Sequence, residues 1–277
     1  MKMVHIIAAG LAALGLSATA AAIEGDAHTP EKRDWIFSGP FGTYADGEHG
    51  ERHQLQRGLQ VYQELCASCH SLDLISFRNL GEPGGPLWDE RWPNPNDNRI
   101  VMQIAESYGE RVWDASEIND EGDPVVRSGI PADQFPAPFE NEQMARASNG
   151  GALPPDLSLI VKARHYGADY VYALLMGYAE APYDVELSAG QHYNEYFTGG
   201  AIAMAPPITF DGQVEYADGT EATMEQMAED VAVFLAWTSD PHMEARKQMG
   251  LMVLLYLFVF AILVYLAYRQ VWANVEH

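Results

Sequence analysis

The sequence contains very little cysteine. Only two of its 277 residues are cysteines, and both lie in one five-residue stretch, CASCH, at positions 66–70. Zinc takes four ligands and no second cysteine pair exists, so two histidines would have to complete a zinc site. If both thiols serve one site, none remains for a disulfide elsewhere. The core must then hold the fold without a cross-link between distant segments.

Basic residues are also scarce. The chain has 39 acidic and 16 basic residues and a net charge of −23. It lacks the basic patch that nucleic-acid binding needs, and no nucleic-acid partner is expected. The acidic residues cluster at 114–123, 180–186 and 215–230. Such residues generally serve solubility, and part of this charge is also able to steer a basic partner protein.

Long apolar runs occur only at the two ends of the chain. Residues 1–22 begin with a basic residue, continue as a short apolar run and end in three alanines, which is typical of a cleaved signal peptide. An N-terminal membrane anchor is the alternative. Residues 249–268 carry no charge and span about 30 Å as a helix, at roughly 1.5 Å per residue.

These ends predict how the chain is organised. We expect a signal peptide at 1–22, a periplasmic domain at 23–242, a transmembrane anchor at 249–268 and a cytoplasmic tail at 269–277. The basic flanks of the apolar run do not determine its orientation, whereas a signal peptide places the large part outside. The expected location is the bacterial inner membrane, crossed once, with the lipid bilayer as a partner.

Strand-like alternation is scarce, and the apolar spacing favours helices. Helices are predicted at 51–65, 100–107, 141–147, 157–163, 168–178 and 223–237, the last with a capping-box pattern from Thr223 to Gln226. Turn residues dominate 81–99, 113–139 and 182–207. The fold class is therefore mainly α with long irregular loops, plus one C-terminal transmembrane helix.

The CASCH stretch itself has three possible uses: a redox dithiol, half of a zinc site, or attachment of a c-type haem. A redox dithiol would follow a strand and open a helix, whereas Leu55, Leu59 and Tyr62 place a helix before Cys66. Two thiols about one turn apart suit two thioethers to the haem vinyl groups, with His70 as iron ligand. The haem interpretation is favoured.

A six-coordinate haem needs a second axial ligand, whereas an oxygen-activating haem leaves that position open. Met204 lies in GGAIAMAPP, where glycines before it and prolines after it restrict a non-helical loop. A thioether held in this way has little conformational freedom to lose on binding a metal. His165 and His192 are the alternatives, although His165 also fits the C-terminal end of a helix.

Three stretches resemble the cytochrome c1 family of bacterial type, the haem subunit of the ubiquinol–cytochrome c reductase (bc1) complex. They are RGLQVYQELCASCHSLD, NGGALPPDLSLIVKARHYGADYVYALLMGY and AIAMAPPI. A lone CxxCH occurs in every c-type cytochrome, whereas the second and third stretches are specific. The resemblance covers almost all of the predicted mature chain and implies a c-type cytochrome-like haem domain.

The resemblance also implies roles for single residues. Cys66 and Cys69 would bind one haem c covalently, and His70 and Met204 would ligate its iron. Arg164 would pair with a haem propionate, which suits a bidentate guanidinium. The pocket would be lined by Asn149, Pro154, Pro155 and Tyr170. Some bacterial relatives carry a second cysteine pair near the haem, and this chain departs from them because it has none.

As an electron-carrying subunit, the chain would catalyse no bond chemistry alone. The resemblance implies a cytochrome b subunit, a Rieske iron–sulfur subunit that delivers electrons and a basic cytochrome c that accepts them. A membrane-anchored haem peroxidase is an alternative from another class, and adjacent Arg164 and His165 resemble its acid–base pair. A monohaem subunit of a terminal oxidase would keep the carrier chemistry with other partners.

Overall fold

The computed structural model describes residues 27–47, 51–183 and 185–273. The segment 1–22, predicted to be a signal peptide, lies outside the described residues. The described chain is mainly helical, with two short antiparallel hairpins. This agrees with the predicted fold class and with the predicted C-terminal helix.

The helices and strands follow one another along the chain in a simple order. They are α1 His53–Val61, a π-helical turn Tyr62–Cys66, α2 Phe77–Leu80, a 3-10 turn Pro95–Asp97, α3 Arg99–Ser107, β1 Glu110–Val112, β2 Val126–Ser128, α4 Glu142–Ser148, α5 Ile160–Ala163, α6 Ala168–Met176, β3 His192–Tyr193, β4 Ala201–Ile202, α7 Met224–Ser239 and α8 Met243–Trp272. Strand β1 pairs with β2, and β3 pairs with β4, both antiparallel.

Five of the six predicted helices both begin and end within two residues of their predicted bounds, with the π-helical turn counted as the end of α1. The exception is α5, which begins at Ile160 instead of residue 157. The Leu157 N–H donates to the Ser71 carbonyl at 2.9 Å, and the Ser158 hydroxyl accepts from the Leu74 N–H at 3.1 Å. These residues are therefore bound to another segment and do not extend the helix.

Helices α1 and α7 cross at Gly58, and this crossing forms the centre of the core. A Cβ atom at Gly58 would lie 2.1 Å from the Asp230 carbonyl oxygen and 2.6 Å from Cβ of Phe234. Any larger residue would therefore force the helices apart. Beyond the crossing, Tyr62 packs against Phe234 at a ring distance of 5.8 Å, and Phe234 stacks on Trp237.

An ion pair fixes the same two helices. Arg57 donates to both carboxylate oxygens of buried Asp230, at 2.8 and 3.2 Å, and to Asp218 at 2.8 Å. Burial raises the pKa of Asp230, and the hydrogen bond from Arg57 opposes that rise. Two acids of the 215–230 cluster thus serve the fold, since removing one partner of such a pair leaves a buried charge.

The capping-box pattern at the start of α7 is confirmed only in part. The Thr223 hydroxyl accepts from the Gln226 N–H at 3.1 Å, which caps the helix as predicted. The Gln226 side chain does not return to the cap, because it donates to Asp230 at 2.8 Å. It therefore supports the ion pair between the helices instead.

Helix α8 is longer than the predicted anchor, since it begins at Met243. Met243 is buried and belongs to the core, whereas the large apolar side chains from Met249 to Trp272 are exposed. This helix is long and apolar enough to cross a membrane. Its first turns therefore belong to the domain, and the rest presents apolar side chains on all sides, as expected in lipid.

Candidate functional site

The CASCH stretch forms a compact turn directly after the π-helical end of α1. The N–H groups of Cys69 and His70 both donate to the Cys66 carbonyl, at 3.1 and 2.9 Å. The buried Tyr62 hydroxyl donates to the His70 carbonyl at 3.0 Å. The turn is thus fixed at both ends, and its two thiols and imidazole are held in one short segment.

The orientation of the His70 ring follows from one hydrogen bond. Its Nδ1 lies 2.8 Å from the Pro155 carbonyl oxygen. A carbonyl oxygen only accepts, so Nδ1 carries the proton and Nε2 keeps a free lone pair. Burial lowers the pKa of His70, although the Pro155 hydrogen bond and the Asp156 charge both act to raise it. Such a neutral imidazole, with its other nitrogen bound to a carbonyl, is the usual form of a metal ligand.

The Pro155 carbonyl is held in place by its neighbour, Asp156. One carboxylate oxygen of Asp156 accepts from the Ser71 hydroxyl at 2.8 Å and from the Asp73 N–H at 2.7 Å. The other oxygen accepts from the Ser158 N–H at 2.9 Å. Asp156 therefore joins the segment after the CASCH turn to the segment that follows the paired prolines.

The two thiols do not resemble those of a redox dithiol. Both Cys66 and Cys69 are free. Burial raises the pKa of the Cys66 thiol to about 12, and nearby Cys69 adds to the rise. A raised pKa favours the neutral thiol, whereas the attacking thiols of exchange enzymes have lowered pKa values. Within the described ranges, no group of three or more His, Cys, Asp and Glu side chains converges to suggest a zinc site.

Met204 lies in a bend after β4 and is half-buried. Its carbonyl oxygen accepts from the Tyr178 hydroxyl at 3.0 Å. Burial raises the pKa of Tyr178, and neighbouring Tyr170 adds to the rise, so the phenol stays a donor. The end of α6 thus holds the backbone of Met204.

Asn194 fixes the loop that leads to Met204. It is completely buried. Its side-chain amide donates to the Leu174 carbonyl at 2.7 Å, and its N–H donates to the Gly200 carbonyl at 2.8 Å. Gly200 has a φ of +72°, and a Cβ there would lie 2.8 Å from the Tyr193 ring. This loop is therefore tied to α6 by the buried Asn194 amide.

The remaining predicted site residues lie on four different segments. Arg164 is exposed after α5, and its guanidinium donates to the adjacent Ala163 carbonyl. Among the described residues, no acidic side chain forms an ion pair with it. Asn149 ends α4, where its side-chain amide donates to the Ala145 carbonyl at 2.7 Å. Pro154 is half-buried, and Tyr170 lies near Tyr178.

The alternative axial ligands occupy different surroundings. His165 is exposed after α5 and contacts the ring of Tyr166 edge-on, with ring centres 4.2 Å apart. His192 lies in β3 and lines an open cavity of about 320 Å³ with Glu180, Tyr193 and Pro206. His70 alone of these three histidines has its Nδ1 bound to a backbone carbonyl.

Three residues of the site were not predicted from the sequence: Asp156, Tyr178 and Asn194. Each acts through a hydrogen bond to a residue distant in sequence, such as the bond between Asp156 and Ser71, which lie 85 residues apart. The sequence offers one signal, since Asp156 directly follows the paired prolines. Tyr178 and Asn194 carry no local pattern that distinguishes them from core residues.

The helical domain, its membrane-length helix and the CASCH turn define a class of protein with one helix able to anchor it in a membrane and a set of side chains able to hold a haem. The model of the Cytochrome C1 family matches residues 35–275. The chain therefore belongs to the Cytochrome C1 family, and this membership implies a haem cofactor. The donor set fits that group: two thiols, an imidazole with a free Nε2, and a thioether in a tied loop.

Similar proteins occur in bacteria and in mitochondria. "Cytochrome c1" of Rhodospirillum rubrum is 38% identical over 98% of this chain and 97% of its own length. "Cytochrome c1, heme protein, mitochondrial" of Saccharomyces cerevisiae is 43% identical over 87% of this chain and 72% of its own. "Cytochrome b/c1" of Bradyrhizobium diazoefficiens is 45% identical over 98% of this chain, which spans only 39% of that relative.

Proposed function

We propose that this chain is the haem electron-transfer subunit of a cytochrome bc1 complex, with one haem c bound to Cys66 and Cys69. His70 and Met204 would ligate its iron. The observation that carries the proposal is the hydrogen bond from His70 Nδ1 to the Pro155 carbonyl, at 2.8 Å. It leaves the lone pair of Nε2 free to bind a metal, in the segment that carries both thiols.

When bound, the haem supplies one-electron redox chemistry at a fairly high potential, because a thioether ligand favours ferrous iron. The chain itself positions the side chains that would ligate the iron. The Pro155 carbonyl orients the imidazole and makes Nε2 a stronger donor. The Tyr178 hydroxyl and the Asn194 amide hold the loop of Met204. The residues thus present both axial donors with little freedom left to lose.

Other residues complete the proposed pocket. Arg164 is available to bind a propionate, because its guanidinium is exposed and forms no ion pair with the described acids. Asn149, Pro154, Pro155 and Tyr170 line the haem. The paired glycines after Asn149, at φ values of +61° and +92°, turn the chain toward the prolines.

The proposed topology follows from α8 and the sequence. Residues 1–22 form a signal peptide, 23–242 a periplasmic domain, 249–268 the anchor and 269–277 a cytoplasmic tail. The anchor lies in the bacterial inner membrane. In the complex, the chain contacts a cytochrome b subunit and a Rieske iron–sulfur subunit, which delivers electrons.

A basic cytochrome c accepts the electrons. Among the three acidic clusters, 180–186 lies best for this docking. Glu180 lines the cavity that is also lined by Pro206, two residues after Met204. In contrast, Asp218 and Asp230 of the 215–230 cluster are engaged by Arg57. The acidic side chains of 180–186 are therefore placed to steer a partner toward the Met204 loop.

The test is the state of the haem in the purified membrane complex. The haem should remain on this polypeptide during denaturing gel electrophoresis, and quinol should reduce it in the intact complex. A Cys66→Ala, Cys69→Ala variant serves as the control that cannot form thioethers. Haem lost from the parent chain, together with two titratable thiols, would contradict the covalent assignment. Ready carbon monoxide binding by the reduced parent would favour the peroxidase alternative.

A further inference from the structure

The loop from Ile36 to Thr43 lies against the beginning of α8. Its sequence, IFSGPFGT, contains no charged residue, in a chain of net charge −23. The Thr43 N–H donates to the Ile36 carbonyl at 3.1 Å, and Gly39 takes a φ of +71° at the turn. The loop is therefore a defined turn with an uncharged surface.

Side chains of α8 hold this loop. Lys247 Nζ donates to the carbonyl oxygens of Phe37 and Gly42, at 2.6 and 3.1 Å. One carboxylate oxygen of Glu244 accepts from the Thr43 hydroxyl at 2.5 Å and from the Tyr44 N–H at 2.7 Å. The loop is thus fixed to the helix by four hydrogen bonds and keeps a constant position along the helix axis.

Phe41 is the most exposed large apolar side chain of this loop. It is 80% exposed. A cavity of about 270 Å³ lies between the loop and the helix, and both Phe41 and Leu251 line it. Leu251 is the third residue of the apolar run that begins at Met249. Phe41 therefore lies at the level where the apolar surface of α8 begins.

We propose that the 36–43 loop is a second membrane contact, in which Phe41 inserts at the boundary of headgroups and acyl chains beside α8. The partner is the lipid surface of the leaflet that faces the haem domain. Aromatic rings are favoured at this depth, whereas charges are costly there, and the loop carries none. The contact continues the apolar surface of α8 and fixes the height of the domain above the bilayer.

The test uses the full haem-loaded chain in phosphatidylcholine vesicles. Phe41→Cys introduces a thiol for a nitroxide label, and the parent chain, treated identically, gives the background. Oxygen dissolved in lipid and a nickel chelate in water report the depth of the label. Leu255→Cys on α8 is the lipid reference, and Ile118→Cys, on the acidic segment 114–123, is the aqueous one; both side chains are more than 60% exposed.

The label at position 41 should collide with the nickel chelate several-fold less often than the label at 118. Its oxygen collisions should approach those of the label at 255. Nickel accessibility equal to that at position 118 would overturn the proposal. In the native complex, a photoreactive benzoylphenylalanine at position 41 should form adducts with phospholipid. Adducts with another protein subunit alone would also overturn it, in favour of a protein partner.

Discussion

The two proposed iron ligands are positioned by different residues. On the imidazole side, the Pro155 carbonyl selects the His70 tautomer. The adjacent Asp156 side chain fixes the position of that carbonyl through hydrogen bonds with Ser71 and Ser158. On the thioether side, the backbone of Met204 depends on the Tyr178 hydroxyl and on the buried amide of Asn194. The thioether is a weak donor, so its side of the site is more sensitive to small losses of position.

Replacing Tyr178 by phenylalanine removes the hydroxyl that holds Met204 and keeps the half-buried ring. The lost hydrogen bond should weaken sulfur ligation by about 1 kcal/mol. Since sulfur favours ferrous iron, the reduction potential should fall by no more than about 40 mV, the one-electron equivalent of that energy. Redox titration and carbon monoxide binding measure the effect.

Two further variants serve as the positive and the negative control for Tyr178→Phe. Met204→Leu removes the sulfur, so it should bind carbon monoxide fully and show a much larger fall in potential. Tyr183→Phe makes the same chemical change at a fully exposed tyrosine and should leave both measurements unchanged. If Tyr178→Phe behaves like Tyr183→Phe, the hydroxyl has no part in holding the ligand. If Met204→Leu keeps the parent spectrum, His165 or His192 is the ligand instead.

The sequence predicts the donors at this site but not the residues that hold them. The CASCH spacing is local, so it predicts two thiols and an imidazole in one turn. The rigidity of the Met204 loop was also inferred locally, from its glycines and prolines. The contacts of Asp156, Tyr178 and Asn194 join segments distant in sequence, and no periodicity encodes such pairs. They required the tertiary structure.

At the scale of whole elements, the first two turns of α8 are part of the domain. Met243 is buried in the core, and Glu244 accepts from Arg52 at 2.8 Å as well as from the Thr43 hydroxyl and the Tyr44 N–H. Arg52 is only 11% exposed in its side chain. Removing these turns would leave an apolar cavity and a poorly solvated cation.

A chain that ends after Gln248 should therefore be more stable than one that ends after Asp240. Both lack the apolar run, and both should be released in soluble form with haem. The shorter chain loses buried Met243 and the Glu244 carboxylate that binds Arg52. The free energy of unfolding should fall by a few kcal/mol, which lowers the melting temperature of a domain of this size by on the order of 10 °C. Thermal unfolding of both haem-loaded products measures this.

A Glu244→Gln variant of the longer chain separates the two causes, because it keeps Met243 and weakens only the ion pair. It should fall between the two truncated chains. Equal melting temperatures for all three would mean that the domain ends before α8. Retention of either truncated chain in membranes that lack the other subunits would contradict a single anchor.

The elements were predictable where their cause is local. Apolar spacing marks α1, and Thr223 marks the start of α7, because periodicity and capping act within a few residues. The crossing of α1 and α7 at Gly58 was not predictable, since its steric requirement comes from the Asp230 carbonyl. The early start of α8 was missed for the same reason: residues 243–248 are polar enough to appear as a linker, and their partners lie near residues 37–52.

At the scale of the whole molecule, the acidic charge is not one uniform surface. Asp218 and Asp230 neutralise Arg57, and Asp133 binds Arg127 at 2.6 and 2.8 Å. These acids support the fold. Glu180 and Glu186 are exposed and precede the Met204 loop in the chain. Asp184 lies between them, outside the described residues. The exposed charge of Glu180 and Glu186 is therefore able to attract a basic partner protein toward this loop.

Reduction of a basic cytochrome c should therefore slow steeply as salt rises from roughly 10 to 300 mM, because charges are screened over about 10 Å at 0.1 M. Glu180→Gln with Glu186→Gln should flatten this dependence. Asp120→Asn with Glu121→Gln removes the same two charges from another exposed segment and should not flatten it to the same degree. Stopped-flow reduction across the salt series measures both variants. Equal flattening would make the effect one of net charge alone, and a rate indifferent to salt would leave the acidic surface with solubility as its role.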